Sequence, residues 1–107
     1  MMSRVVYEVR LDISPKIRTE FLAWLRGHIA EMLSFNGFID ARILLGDTTV
    51  PNDISVQYTL QDRESFARYE AEHAQRMRAE GLERFPEGLS ATRRLWDIQT
   101  ATDTTGI

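Results

Sequence analysis

Cysteine is missing from this chain altogether, which removes disulfide staples, thiolate nucleophiles and cysteine-ligated zinc or iron–sulfur centres in one step. Histidine is nearly missing too. His28 and His73 are the only two, and neither HExxH nor His-x-His spacing occurs, so the sequence calls for no metal. There is no glycine-rich phosphate loop, Ser-His-Asp grouping or paired-carboxylate motif, which leaves triad hydrolases and nucleotide-binding enzymes without support and calls for no cofactor. No apolar run approaches the roughly 20 residues of a membrane-spanning helix, and no secretory start is visible, so a cytoplasmic location is the expectation. Excess positive charge is lacking as well: 13 Lys and Arg face 16 Asp and Glu for a net charge of −3. Neither nucleic acid nor an anionic membrane surface is therefore an expected partner.

What is present is an ordinary globular composition, 43% hydrophobic and 27% charged over 107 residues, enough for one core and too little for two. Residues 1–99 are read as a single domain. The polar, Thr-rich residues 100–107 are expected to fray.

Val5, Tyr7, Val9, Leu11 and Ile13 alternate with Glu8, Arg10 and Asp12, the period of a half-buried strand. Ser14 and Pro15 follow as an N-cap and a first-turn residue, predicting a helix from Pro15 to Ser34. Its apolar stripe comprises Ile17, Phe21, Trp24, Leu25, His28, Ile29 and Met32. Asn36 and Gly37 supply the turn. Phe38–Gly46 reads as a second strand, with Ile39, Ala41, Ile43 and Leu45 on one face and Asp40 and Arg42 on the other. Across a turn holding Pro51 and Asn52, Ile54, Val56, Tyr58 and Leu60 alternate with Ser55, Gln57 and Thr59 as a third strand. Asp62 caps a second helix running to Phe85, striped by Phe66, Tyr69, His73 and Met77, before Pro86 stops it. Leu89–Gln99 closes the series as a fourth strand.

The order β-α-β-β-α-β predicts an α+β, ferredoxin-like fold: a four-stranded antiparallel sheet with two helices on one face. The other face mixes charge with apolar area, and a homodimer through that open sheet face is expected.

Chemistry has few carriers. His28 and His73 could serve as general bases at a pocket between helices and sheet. The alternative is that each ring packs in the core with one nitrogen on a backbone or carboxylate partner. Trp24, Tyr58, Tyr69 and Trp96 could line a cleft or merely fill the core. Arg76, Arg78 and Arg84 fit pairing with Glu70, Glu72, Glu80 and Glu83 along the second helix. Arg93 and Arg94 are adjacent in a strand, so one of them must turn inward or into an interface.

Trp24-Leu25-Arg26-Gly27-His28-Ile29, Gly37-Phe38, Val56-Gln57-Tyr58, Tyr69-Glu70-Ala71-Glu72-His73-Ala74 and Arg84-Phe85 together resemble the DUF4286 family of small bacterial proteins, from about Tyr7 to Ile98. Those proteins look like members of the dimeric α+β barrel superfamily, so the resemblance implies the same fold and a sheet-to-sheet dimer. It implies Trp24, His28, Gln57, Tyr58, Tyr69, His73 and Arg93 as positions that could line a site. Superfamily relatives include cofactor-independent monooxygenases of polyketide quinols and haem-degrading enzymes. Three functions follow as alternatives: a small-molecule-binding barrel, as an enzyme on an aromatic or polyketide-like substrate with His28 or His73 as base; a non-catalytic, ACT-like regulatory or interaction module; and a haem binder with His73 as axial ligand.

Overall fold

A computed structural model of the chain describes residues 3–99; the expected tail, 100–107, lies outside the described residues. Strand β1 spans Val5–Ile13, helix α1 Arg18–Met32, strands β2 and β3 Phe38–Leu45 and Asp53–Leu60, helices α2 and α3 Arg63–Glu72 and Ala74–Arg84, and strand β4 Leu89–Asp97. The sheet order is β2-β3-β1-β4 with every neighbour antiparallel, the ferredoxin-like arrangement. Because side chains alternate along a strand, β1 and β3 send Val5, Tyr7, Leu11, Ile13, Ile54, Val56, Tyr58 and Leu60 into the core. There they meet Phe21, Leu25 and Met32 of α1, Tyr69 of α2 and Met77 of α3.

The local signals for helix entry act as the sequence suggests. Ser14 Oγ accepts from the Lys16 N–H at 3.3 Å, and Pro15–Ile17 form a 3₁₀ turn before the α-helix proper begins at Arg18. At the entry to α2, an Asp62 oxygen accepts from both the backbone N–H and the hydroxyl of Ser65, each at 2.8 Å. These bonds hold the Asp62 carboxyl below its usual range, the backbone donor contributing most. Gly37 takes φ +91°, and a Cβ there would run into buried Ser65. The turn after α1 thus needs glycine for both conformation and space.

Two departures from periodicity matter. A register shift lies between Phe38 and Asp40, and this bulge displaces Ile39, which is 41% exposed instead of sharing a face with Ala41 and Ile43. The second helical stretch is not one helix. It breaks at His73 (φ −130°, ψ −28°), where the imidazole lies flat on Phe35, centroids 4.0 Å apart and planes within 4°. The backbone ladder continues on both sides, from the His73 N–H to Tyr69 O and from the Met77 N–H to His73 O. The helix is interrupted here without a proline or glycine.

Candidate functional site

A cavity of about 320 Å³ opens between α1, α3 and the sheet. Helix α1 contributes Phe21, Trp24, Leu25, His28 and Met32, and α2 contributes Tyr69. The sheet supplies its floor through Tyr7, Val9, Val56, Tyr58, Ala91 and Arg93, while Met77, Arg78, Gly81 and Leu82 of α3 complete the wall. Gly81 is buried, and a Cβ there would meet the Trp24 ring at 3.4 Å, an ordinary contact distance. Leu82, which also lines the cavity, remains 61% exposed and marks its mouth.

Of the residues singled out from sequence, Trp24, His28, Tyr58, Tyr69 and Arg93 line this one space. His73 does not; its ring is stacked on Phe35, with Glu72 3.8 Å from Nε2. Gln57 lies on the opposite face of the sheet. Its side chain accepts from Arg42 Nε at 2.9 Å and donates to Glu8 at 3.3 Å. The adjacent arginines separate as strand alternation requires: Arg93 reaches the cavity, and Arg94 lies over the Trp96 ring, 4.9 Å from its centroid.

His28 stacks on Trp24 with centroids 4.6 Å apart. Its Nδ1 is shielded from solvent and has no hydrogen-bond partner, an uncommon condition for a buried polar atom. Burial pushes the His28 pKa down; Glu80 and Glu31 oppose that, and Arg76 adds to it. The imidazole is therefore held neutral with one ring nitrogen uncommitted. Tyr58 and Tyr69 have their pKa values raised well above a free phenol, burial being the chief cause for both. Both stay protonated at neutral pH.

Arg78 departs from the expectation of a helix-surface arginine paired only with acidic neighbours. Its guanidinium donates to the Tyr7 hydroxyl at 3.2 Å as well as to Glu70 at 2.7 Å, and it lines the cavity. Its Nε–H is buried without an acceptor. Burial opposes the charge, and the Tyr7 and Glu70 bonds outweigh that opposition. The Arg78–Tyr7 contact joins positions 71 apart in sequence, so no spacing rule could have flagged it. Among the described residues, no cluster of three or more His, Cys, Asp or Glu could hold a metal ion, and no helix is long and apolar enough to cross a membrane. A shallower groove of about 410 Å³ at the β2–β3 hairpin end carries neither an aromatic ring nor a histidine.

Residues 4–98 match the family described as a domain of unknown function, DUF4286. Among curated proteins, none matches the sequence. Among solved structures, a point mutant of SnoaB, a cofactor-independent oxygenase from Streptomyces nogalater, is similar at 16% identity and TM-score 0.75, covering 92% of this chain and 96% of that one. A conserved protein of unknown function from Bacteroides thetaiotaomicron is similar at 16% identity and TM-score 0.72, over 92% and 100% of the two chains. A conserved protein from Methanosarcina mazei Go1 is similar at 16% identity and TM-score 0.68, over 89% and 92%. At these identities the likeness establishes the fold.

Proposed function

We propose that this chain, which belongs to the DUF4286 family, binds a small aromatic molecule in the α1–α3 cavity and acts on it as a cofactor-independent oxygenase. The observation that carries the reading is the cavity itself. At about 320 Å³ it falls at the lower end of the roughly 300–1,000 Å³ of small-molecule sites, and it has their mix of apolar walls and a few polar groups. Tyr7, Phe21, Trp24, Tyr58 and Tyr69 set five aromatic rings among its aliphatic walls, which suits a flat ligand. His28, which lines the cavity and is held neutral by burial, is the base that would take a proton from an acidic O–H or C–H of the bound molecule. The resulting anion is electron-rich enough to react with dioxygen as co-substrate. The similarity to SnoaB, a cofactor-independent oxygenase, supports that class over the ACT-like alternative. The haem alternative has no support from His73, whose ring is stacked away from the cavity.

Oxygen consumption with a series of dihydroxyarenes tests the chemistry, and calorimetric titration tests the binding. Ala91 lines the cavity on edge strand β4, so Ala91→Phe is expected to fill the space. Ligand affinity should fall at least tenfold while the urea midpoint stays near that of the parent. Equal affinity in the variant would place the ligand elsewhere.

The open sheet face is proposed to be covered by a second copy of the chain. Glu8 at its centre accepts from the Ser55 hydroxyl at 2.7 Å and the Trp96 indole N–H at 3.1 Å. Beside this network Leu44 and Trp96 stand 44% and 46% exposed. Glu8 and Asp40 alternate with Arg10, Arg42 and Arg94, so a twofold axis can bring unlike charges together. Light scattering is expected to report twice the chain mass, and Leu44→Glu to reduce it to one chain. A monomeric parent at micromolar concentration contradicts this assembly.

A further inference from the structure

We infer that the cavity recognises an aromatic molecule bearing a single carboxylate, and that Arg78 and Arg93 are the residues that select for it. This rests on the cavity reading above and goes beyond it by naming the acidic group. Two guanidiniums, one from α3 and one from β4, line a space whose walls are otherwise largely apolar and aromatic. Only one of them is neutralised: Arg78 is paired with Glu70 at 2.7 Å, whereas among the described residues Arg93 forms no ion pair. Glu8, the nearby carboxylate of β1, is committed to the opposite face of the sheet by Ser55, Gln57 and Trp96. The cavity side therefore keeps about one uncompensated positive charge.

The positions of the two arginines agree with a shared target. Arg93 stands across from Val9 on the cavity floor, next to the Tyr7↔Leu95 pair of the same two strands, and Arg78 donates to the Tyr7 hydroxyl. Both cations act on the Tyr69 hydroxyl, each favouring its ionised form. The Arg78 side chain is 32% exposed, so its guanidinium can offer charge-assisted donors to an oxygen anion that enters the cavity. Planar guanidinium matches planar carboxylate, while the half-buried Trp24 on the cavity wall offers an aromatic surface against which an arene would pack.

The test compares 2-naphthoate with 2-naphthamide, which has nearly the same shape and no charge, by calorimetric titration of the parent, Arg93→Gln and Arg78→Lys at pH 8. The parent is expected to bind the carboxylate at least tenfold more tightly than the amide. Arg93→Gln should weaken carboxylate binding at least tenfold and so remove most of that preference. Arg78→Lys, which keeps the charge and loses the planar fork, should weaken carboxylate binding about tenfold; circular dichroism checks that it folds, and Arg93→Gln carries the test if it does not. Equal binding of the two probes by the parent overturns the carboxylate clamp while leaving the cavity reading standing. Binding of neither probe overturns both.

Discussion

Phe21→Ala is expected to destabilise the protein by about 3–5 kcal/mol, the range for removing a fully buried aromatic ring from a packed interior. Phe21 is 1% exposed, and its ring packs edge-on against Phe85 at 5.3 Å and tilted against Trp24 at 5.8 Å. It therefore ties α1 to the residue that closes α3. Alanine removes both aromatic contacts and enlarges a space that is already a cavity. No neighbouring side chain can close the gap, because the surrounding rings are held by one another. Urea denaturation should show the midpoint falling by more than about 1 M at an unchanged slope. A shift of a few tenths molar would mean that the Phe21 ring contributes little to the packing between α1 and the end of α3.

The same cluster shows which parts of the fold are readable from sequence. Strand alternation and the caps at Ser14 and Asp62 are local, set by residues within two to four positions of one another, and they predict the sheet and its helix-covered face. Phe21 and Leu25 fall on the buried stripe for the same reason. The Ile39 bulge and the break at His73 carry no glycine or proline. Both accompany aromatic packing between distant segments, Phe38 on Tyr69 and Phe35 on His73, which a periodicity count cannot register.

The site is legible only in part. Trp24 and His28 are one helical turn apart and so share a face, and that spacing alone brings them together. Gln57 cannot join Tyr58 in one cavity, because neighbours in a strand face opposite ways; the family resemblance implies both positions, and pleating separates them. Arg78 escapes a reading by spacing because its decisive contact, the Tyr7 hydroxyl, lies on the first strand. A cavity is a shortfall of packing among several elements, and no single segment encodes it.

His28→Leu is expected to separate stability from activity. Leucine removes a buried nitrogen with no partner and keeps an apolar contact with Trp24, so stability at pH 8 should rise by about 1 kcal/mol, the low end of the cost of an unsatisfied buried polar group. Turnover should fall by about 10²–10⁴-fold, the usual contribution of a positioned general base. The pH dependence supplies a signature that simple repacking would not give. Burial lowers the folded-state pKa of His28 below the ordinary imidazole value of 6.5, so between those two values the unfolded chain binds the proton that the folded chain refuses. Stability then declines as pH falls below about 6.5, and the decline ends once His28 protonates in the folded state. Glu8 and Asp62, hydrogen-bonded by Ser55 and Ser65, and Asp97, ion-paired with Arg63 at 2.7 Å, have lowered pKa values and lose their own contribution only at lower pH, as it falls through and below the ordinary carboxylate range. The stabilisation by His28→Leu should accordingly grow between pH 8 and pH 5.5 when urea midpoints of parent and variant are compared. A difference that stays constant across that interval would show that His28 titrates alike in the folded and unfolded chain, and its assignment as a desolvated base would fail.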